Sequence, residues 1–327
     1  MNVISSHTFK LLQLLQLKGV GSATVEKLIR SMGKIDQPVT EIAPSIAKRL
    51  DLNQLQVELS AATSLAHEQV ESAEANNVRV ISVLDEEYPA LLRETTDRPL
   101  LLYVKGRLHG IPLKSIAVIG TRQPTEHGVA TCERITAMFV ENSWSVVSGL
   151  ALGCDAVAHR TALARSGHTV AVLAHGLHTV APKQHKKLAD QIVAEGGALI
   201  TEYGFGMNPF AYQYVKRDRI QAGLAQGVVL IQSDETGGSM HASRAAVEYG
   251  RLLIVARPTN RDISNTEPKI AANSILCGND VSAKTRLLRC DAESLKLIFP
   301  ITSREDYPLL LSDLSNTSAG LDQRTEC

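Results

Sequence analysis

The chain has 327 residues, which is long enough for two or three domains, and its 34 lysine and arginine residues balance its 34 acidic residues. A net charge of zero excludes a general attraction to polyanions, so any nucleic acid must be bound by a local patch. The five cysteines lack metal-ligand spacing, the N-terminus lacks a signal-peptide pattern, and no apolar run reaches the roughly 20 residues of a membrane span. These features predict a cytoplasmic protein with reduced cysteines, no metal site and no membrane association.

Two helices are predicted near the N-terminus. Apolar residues recur at helical spacing over Thr8–Leu17 and again from Val25 to Ile29, and Gly19-Val20-Gly21 separates the two patterns. Two helices joined by such a turn are typical of a helix-hairpin-helix, whose turn presents N–H groups to a nucleic-acid phosphate. A plain helical hairpin used for packing fits equally well, and both interpretations stay open. Further helical patterns continue to Asn77.

From Ser115 onward, strands and helices alternate at about 30 residues a unit, which is the period of βαβ units. Strands are predicted at Ser115–Ile119, Trp144–Val147, Thr169–Leu173, Ala198–Thr201, Val228–Gln232 and Leu252–Ala256. Helices are predicted near Gly128–Asn142, Asp155–Ser166, Gln184–Glu195, Lys216–Ala225 and Ser239–Tyr249. The strands are apolar throughout rather than alternating, as in a sheet covered on both faces. The pattern predicts an α/β protein with a doubly wound, mostly parallel Rossmann-like sheet.

The chain divides into four predicted segments. Residues 1–77 form a small all-α domain of the helix-hairpin-helix or SAM-like type, residues 78–110 a connector with short strands, residues 111–285 the Rossmann-like domain, and residues 286–327 a partly disordered C-terminal extension. Near the C-terminus, helices are predicted at Lys269–Leu276 and Leu287–Phe299. The small and polar residues of Ser312–Cys327 are typical of a disordered tail.

Three glycine-rich turns each follow a predicted strand. The first glycine turn is Gly120-Thr121-Arg122, the second runs from Ser148 through Gly149 and Gly153 to Asp155, and the third is Gly237-Gly238-Ser239. A glycine turn before a helix leaves N–H groups available to an anion, and the helix dipole adds to that attraction. Because the carboxyl ends of parallel strands meet at one sheet edge, the three turns predict one phosphate-binding site there.

Two basic features accompany these turns. The Arg122 guanidinium suits a phosphate, which it can hold bidentately, although a surface arginine paired with a carboxylate is the simpler alternative. The stretch Tyr212–Arg219 places two tyrosines beside Lys216, Arg217 and Arg219, a combination that suits single-stranded nucleic acid. A solvated helix start with inward-packing tyrosines would give the same residues.

Other polar residues favour structural roles. Asp155 is placed to cap a helix, and His159 lies one turn further on the same face. His175, His178 and His185 cluster around a loop, but no acidic or cysteine ligand completes a zinc site. The first turn does not read G-x-G-x-x-G, and no acidic residue ends the second strand, so dinucleotide redox chemistry is not indicated.

At these residues the sequence resembles the DprA/Smf family of DNA-processing proteins. The matching blocks, in order, are Leu17–Ser31, Tyr88–Gly106, Ile116–Pro124, Ser148–His159, Val170–Leu177, Arg217–Leu224 and Gly237–Arg251. The resemblance implies a non-enzymatic, cofactor-free homodimer that binds single-stranded DNA, protects it and loads RecA recombinase in DNA uptake, transformation or recombination. It implies that the three turns and Lys216, Arg217 and Arg219 hold the DNA backbone, and the helix Ser239–Tyr249 with the following strand is a candidate dimer interface.

Several positions depart from the family pattern. The family usually has Arg where Leu152 stands and Asn where Asp218 stands, and the block Val255–Pro258 lacks the usual Val-Pro-Gly. The Gly-Thr-Asn before a later helix is replaced by Ala271-Ala272-Asn273, and the C-terminal winged helix of many members is not recognisable after Val281. These departures indicate a divergent member, with a mobile element or defence locus as one setting.

An alternative function remains open from the same residues. The turns would also hold one small phosphate ligand, as in the nucleotide sensors and nucleotide hydrolases of the wider superfamily, with a role in phage defence. Hydrolysis would require a general base, for which His159 and Glu248 are the candidates.

Overall fold

The computed structural model describes residues 3–33, 35–47, 51–108 and 114–315. Its strands are β1 (Val78–Ser82), β2 (Leu101–Gly106), β3 (Ser115–Ile119), β4 (Ser145–Ser148), β5 (Thr169–Val172), β6 (Ala198–Thr201), β7 (Gly227–Leu230), β8 (Leu252–Ala256) and β9 (Ile298–Ile301). Its α-helices are α1 (Ser6–Gln16), α2 (Ser22–Met32), α3 (Val39–Ile46), α4 (Leu52–Ala75), α5 (Ala90–Arg93), α6 (Glu126–Glu141), α7 (Cys154–Ala164), α8 (Lys186–Ala194), α9 (Ala211–Gly223), α10 (Ser239–Glu248), α11 (Asn260–Ser264), α12 (Ala271–Cys277) and α13 (Val281–Leu288). Residues 307–315 form a further helix.

The strands form one sheet in the order β1-β2-β6-β5-β4-β3-β7-β8-β9. The neighbours from β6 to β9 are parallel, whereas β1 and β2 are antiparallel additions at the β6 edge. The chain winds outward from β3 to β6, then crosses back to β7 and winds the other way. This is the predicted doubly wound Rossmann-like sheet, and its topological switch point lies between β3 and β7, where such folds bind ligands.

Helices cover both faces of the sheet. Ile116 and Val118 of β3 pack with residues of α6, α7 and helix 307–315, whereas Ala117 and Ile119 pack with residues of α9 and α10. Because both side-chain sets of β3 are buried, every residue of that strand is apolar apart from Ser115.

The N-terminal helices attach to the sheet through β1. Ile4 forms a bridge to Val80, and the Ser5 hydroxyl donates to an Asp85 carboxylate oxygen at 2.6 Å. The turn Gly19-Val20-Gly21 joins α1 to α2, with Gly19 at a φ of +78°. Residues 78–108, expected to be a connector, therefore contribute two strands to the main sheet.

Two expectations about the C-terminal region need correction. The predicted helix Leu287–Phe299 is wrong, because α13 ends at Leu288, a 3-10 turn spans Glu293–Leu297, and β9 pairs with β8. Residues 312–315 are helical, with Leu314 buried, and only residues 316–327 of the predicted tail lie outside the described residues. The strand after α10 is β8, which lies inside the sheet between β7 and β9.

Candidate nucleic-acid interface

A cleft of about 910 Å³ lies at the carboxyl ends of β3, β4 and β7, beside the switch point, with α9 forming one wall. The predicted site residues that line it are Gly120, Thr121, Arg122, Gly149, Arg217, Gly237, Gly238 and Ser239. Ser148, Gly153, Lys216 and Arg219 lie outside its lining. The structure therefore brings residues of all three glycine turns together, as their positions after parallel strands predict. Two residues of the second turn, Ser148 and Gly153, make contacts inside the protein instead.

The first glycine turn is locked against its neighbours. The Thr121 N–H donates to the Gln232 carbonyl at 2.7 Å, and the Thr121 carbonyl accepts from the Cys154 N–H at 3.1 Å. Gly153 has a φ of +74°, and a Cβ there would lie 2.4 Å from the Thr121 carbonyl oxygen. Glycine at position 153 is therefore required by the close approach of the first and second turns, and by a backbone conformation that other residues rarely adopt.

Arg122 is the exposed cation of the cleft. Its guanidinium carbon lies 5.7 Å from the centre of the Tyr214 ring, which supports the side chain from α9. Over residues 3–33, 35–47, 51–108 and 114–315, no carboxylate forms an ion pair with it. The alternative prediction, that Arg122 pairs with a carboxylate, is therefore wrong for the described residues.

The second glycine turn already holds an anion, which belongs to the protein. One Asp155 carboxylate oxygen, Oδ2, accepts from the Gly149 N–H at 3.1 Å and from the Ala151 N–H at 3.2 Å. Burial raises the pKa of Asp155, and the nearby Arg217 opposes that shift. Gly153, not Asp155, occupies the N-cap position of α7. The expectation that this turn leaves N–H groups for a ligand is therefore wrong for these two groups.

Ser148 and Leu150 complete the internal character of the second turn. The buried Ser148 hydroxyl donates to the Val118 carbonyl at 2.7 Å, so it is committed to the sheet. Leu150 is fully buried at a φ of +59°, a conformation uncommon outside glycine, and its carbonyl contacts His185 Nδ1 at 2.8 Å. Ser148 and Leu150 of the second turn therefore make contacts inside the protein and not with a ligand.

Arg217 forms the floor of the cleft. Only 4% of the residue is exposed, and its Nη1 donates to the Gly149 and Val172 carbonyls at 2.6 Å each. Its Nε lies 3.0 Å from Asp218 Oδ1. A Cβ on Gly149 would lie 1.9 Å from Arg217 Nη1, so glycine is required where the guanidinium crosses the turn. Arg217 is therefore a buried support whose charge contributes to the potential of the cleft.

Asp218 brings a second buried carboxyl group into the cleft lining. It accepts from Gln221 Nε2 at 2.9 Å. Burial raises the pKa of Asp218 to about 7, although Arg217 acts in the opposite direction. The carboxyl group thus changes charge near neutral pH, directly beneath the region where an anion would bind.

The third glycine turn is the most open of the three. The Ser239 hydroxyl donates to the Ser233 hydroxyl at 2.8 Å, and Lys269 Nζ forms an ion pair with Asp234 at 3.0 Å on the cleft wall. A Cβ on Gly238 would have no heavy atom within 4 Å. This turn therefore offers the start of α10 to a ligand without a side chain in front of it.

The basic and aromatic stretch of α9 divides between two faces. Tyr214 and Arg217 face the cleft, whereas Tyr212 is 54% exposed and stacks on the equally exposed Phe210, with ring centres 6.2 Å apart. Lys216 Nζ lies 5.6 Å from the Tyr212 ring centre. The inward-packing alternative is therefore wrong for Tyr212. We call Phe210, Tyr212 and Lys216 the aromatic shelf.

Arg219 does not join the other predicted site residues. Its guanidinium donates to both carboxylate oxygens of Glu202, at 3.1 and 2.8 Å, and its Nε lies 3.2 Å from an Asp97 carboxylate oxygen. These contacts tie α9 to the loop after β6 and to the segment after α5. The structure places Arg219 in an internal ion-pair network outside the cleft.

A family model described as DNA recombination-mediator protein A matches residues 79–282, which is more than half of the chain. The chain belongs to the DprA/Smf family. It is 38% identical over 182 residues to Protein Smf of Escherichia coli, covering 54% of this chain and 48% of that protein. It is 38% identical over 170 residues to DNA processing protein DprA of Streptococcus pneumoniae, covering 52% of this chain and 60% of that protein. The chain thus spans about half the length of the curated relatives it matches.

Solved DprA structures share the fold. An X-ray structure of DprA from Streptococcus pneumoniae aligns with a TM-score of 0.59 and 25% identity, covering 84% of this chain and 98% of that chain. A structure that concerns the single-stranded DNA binding mode of DNA processing protein A from Helicobacter pylori aligns with a TM-score of 0.57 and 23% identity, covering 72% and 96%. Within the described residues, no helix is long and apolar enough to cross a membrane.

Two of the departures from the DprA/Smf pattern lie in the cleft lining. Leu152, where the family usually has Arg, lines the cleft and is 38% exposed. Asp218, where the family usually has Asn, pairs with Arg217. Leucine at position 152 removes a positive charge, and aspartate at position 218 adds a negative charge when it is ionised, so Arg122 is the main exposed cation among the described residues of the cleft lining.

Three lysines that follow Pro182 were not among the residues predicted from the sequence to form the site. Lys183, Lys186 and Lys187 are exposed, and they follow Pro182, which lines the cleft. Among the residues that the structure describes, none of the three lysines forms an ion pair. The stretch Pro182–Lys187 reads Pro-Lys-Gln-His-Lys-Lys, and its three lysines indicate a basic patch that the sequence analysis considered only as part of a possible metal site.

The histidines serve the backbone. His175 Nε2 accepts from the Ala181 N–H at 3.2 Å, and His178 Nδ1 accepts from the Gly206 N–H at 3.3 Å. No group of metal-ligating side chains occurs within the described ranges. His159 is fully buried, its Nδ1 lies 2.7 Å from the Thr169 hydroxyl, and burial lowers its pKa to about 3. Neither His159 nor Glu248 lines the cleft, so neither candidate base is placed to activate water there.

Proposed function

We propose that this protein binds single-stranded DNA at the cleft and acts as a recombination mediator. The observation that carries the proposal is Arg122, an exposed guanidinium without a carboxylate partner in the described structure, held beside two other glycine turns at the switch point. Membership of the DprA/Smf family and the names of its relatives support the same function. As in that family, we propose a homodimer that protects the strand and loads a RecA-type recombinase, without catalysis of its own.

Charge supports a backbone-directed mode of binding. Because the whole chain has no net charge, attraction of a strand depends on local cations. Arg122 lies in the cleft, and the exposed Lys183, Lys186 and Lys187 follow Pro182 of its lining along the chain, so phosphates of one strand would follow this edge. Such contacts release counterions, and binding is therefore expected to weaken steeply with salt.

The aromatic shelf supports binding of single strands rather than duplex. Phe210 and Tyr212 present stacked, half-exposed rings beside the cleft, and Lys216 adds a charge at their edge. Unpaired bases stack on such rings with about 1–3 kcal/mol per base, whereas bases in a duplex are not available. A strand with phosphates at Arg122 and bases on the shelf would use both features.

The direct test is fluorescence anisotropy of a labelled single-stranded oligonucleotide with the wild type, Arg122→Ala and Arg134→Ala at two salt concentrations. Arg134 is an exposed arginine of α6 outside the cleft and provides the matched control. We expect a loss of about tenfold in affinity for Arg122→Ala. Its salt slope should be smaller by about 0.7, and the control should bind like the wild type. Equal binding by all three proteins would contradict the proposed site.

Recombinase loading requires a separate measurement. With single-stranded DNA precoated by a single-strand-binding protein, we expect the wild type to accelerate RecA filament formation and Arg122→Ala to do so poorly. Size-exclusion chromatography with light scattering tests the proposed homodimer in the same preparations. DNA binding without any effect on RecA would limit the function to protection of the strand.

A second candidate function is binding of a mononucleotide. The cleft volume of about 910 Å³ at the switch point is large enough for such a ligand, and this observation favours it. Sensing fits the site better than hydrolysis, because His159 is buried elsewhere and Glu248 lies at the opposite end of α10. A stoichiometric nucleotide complex in calorimetry, together with no affinity for oligonucleotides, would select this function.

A further inference from the structure

A second group of cations lies on the far side of α10 from the cleft wall formed by α9. We call His241, Arg244 and Arg289 the α10/α13 cluster. The Arg244 Nε donates to the Leu287 carbonyl at 3.0 Å, which holds this α10 side chain against the last turn of α13. Arg289 follows directly as the residue that ends α13 and is exposed.

The backbone at Arg289 is unusual for an arginine. Its φ of 57° and ψ of 42° are left-handed, the conformation that glycine favours after a helix. A non-glycine residue there costs about 1 kcal/mol, so glycine would suit the fold better. The cost is consistent with a role for the side chain rather than for the backbone.

The cluster is not neutralised internally. Burial lowers the pKa of His241 and of Arg244. The neighbouring cations add to the shift in pKa, Arg244 and Arg289 for His241 and Arg289 for Arg244. Across the described ranges, none of the three side chains forms an ion pair with a carboxylate. The nearest acidic residue along α10 is the exposed Glu248, and Asp291 after α13 accepts from the Ser294 N–H at 2.8 Å. A polyanion would relieve this repulsion.

The cluster is continuous with the cleft through the start of α10. Gly238 and Ser239 line the cleft, and His241 lies in the same first turn. From Ser239 to Arg244 the helix rises by roughly 7 Å. Because the cluster lies on the far side of α10, a strand would also pass around a helix about 10 Å across, so the path corresponds to roughly four nucleotides of a stacked strand. The open surface over Gly238 would let a strand pass from one site to the other.

We propose that the α10/α13 cluster binds phosphates of the same single strand that occupies the cleft, so that the strand leaves the cleft over Gly238 toward α13. This inference rests on the proposed function, because it extends the path of its ligand. It gives the bound strand a direction across the protein and a longer footprint than the cleft alone.

The test compares Arg289→Gly with Arg289→Lys on oligo(dT) of about 4 and about 20 nucleotides. Glycine suits the left-handed backbone and removes the charge, so lost binding cannot be attributed to unfolding. We expect Arg289→Gly to lose about threefold to fivefold in affinity for the long strand, with a salt slope smaller by about 0.7. The short strand should bind unchanged, and Arg289→Lys should retain most of the affinity for the long one.

Two results would overturn the inference. One is unchanged binding of the long strand by both Arg289→Gly and the double variant Arg244→Gln/Arg289→Gly, which would leave the cluster to an acidic protein partner. Another is an equal loss on short and long strands. If Arg122→Ala loses binding while the cluster variants do not, only this inference fails, whereas no binding by the wild type removes the proposed function as well.

Discussion

The second and third glycine turns have the same construction in sequence and opposite properties in the structure. Each follows a parallel strand, contains glycine and precedes a helix. In the second turn, Asp155 accepts from the Gly149 and Ala151 N–H groups, and the buried Arg217 donates to the Gly149 carbonyl. In the third turn, no heavy atom lies within 4 Å of a Cβ placed on Gly238. One turn is filled by the protein itself, and the other is open.

The difference shows what a glycine turn requires in order to bind a ligand. Backbone N–H groups at the start of a helix attract any anion, and a carboxylate of the same chain reaches them without the entropy cost of binding a free ligand. Asp155 lies only a few residues from the N–H groups it contacts, so its carboxylate occupies them in preference to a free anion. Glycine at 149 then serves the close packing of Arg217 and not the approach of a phosphate.

The largest effect is expected for Asp155→Ala. The substitution removes a buried carboxylate, leaves the Gly149 and Ala151 N–H groups without an acceptor, and deprives Arg217 of nearby negative charge. We expect the free energy of unfolding to fall by about 3 kcal/mol or more, measured by urea denaturation. Asp155→Asn retains an oxygen that can accept both bonds and should cost about 1 kcal/mol. Wild-type stability in the alanine variant would show that the turn does not depend on this carboxylate.

Alanine substitutions at Gly149 in the second turn and at Gly238 in the third turn form a matched pair, with an intermediate expected effect on stability. At Gly149 the new methyl group would lie 1.9 Å from Arg217 Nη1, so the guanidinium must move, and we expect a loss of about 2 kcal/mol. At Gly238 the methyl group meets open space on a helical backbone, with φ −56° and ψ −35°, so stability should stay equal or rise by about 0.5 kcal/mol. Thermal and urea unfolding would measure both.

Oligonucleotide affinity provides a second comparison of the turns, through the Gly238→Ala variant. If a strand passes over the third turn, Gly238→Ala should bind it several-fold more weakly while remaining fully folded. Binding equal to that of the wild type would mean that the DNA does not approach this backbone closely.

The last stability comparison is a pH dependence that arises from Asp218. Burial raises its pKa to about 7, so the folded protein keeps this proton between pH values of about 4 and about 7, where an unfolded aspartate has lost it. The contribution of Asp218 to the free energy of unfolding therefore falls as the pH rises through that window and is constant above it. Relative to Asp218→Asn, the wild type should be less stable at pH 8 than at pH 5. Parallel pH profiles of the two proteins would refute this assignment.

DNA binding should follow the same titration. Deprotonation places a negative charge beneath the anion site, so wild-type affinity should drop about twofold to threefold more between pH 6 and pH 8 than that of Asp218→Asn. Anisotropy at constant ionic strength measures the difference, and the asparagine variant carries the residue that the family usually has at this position.

Local pattern was sufficient for much of the fold and for the location of the site. The apolar runs and their spacing predicted the parallel sheet, and the positions of Gly120, Gly149 and Gly237 after strands predicted a common edge. The pattern failed at Leu287–Phe299, because residues 298–301 are a strand only by pairing with β8 at a distant point of the chain. A short apolar run next to a helix does not reveal such a long-range partner.

The sequence by itself determined the parallel, doubly wound part of the sheet and the edge where the glycine turns meet, since these follow from periodicity and from the rules of parallel connections. Only the tertiary structure decided which cations remain available. Arg122, Arg217 and Arg219 resemble one another in sequence, yet the first is exposed over Tyr214, the second is buried beneath the second turn, and the third is paired with Glu202. The physical reason is that the partners of a charge lie far away along the chain, and packing alone brings them within a few ångströms.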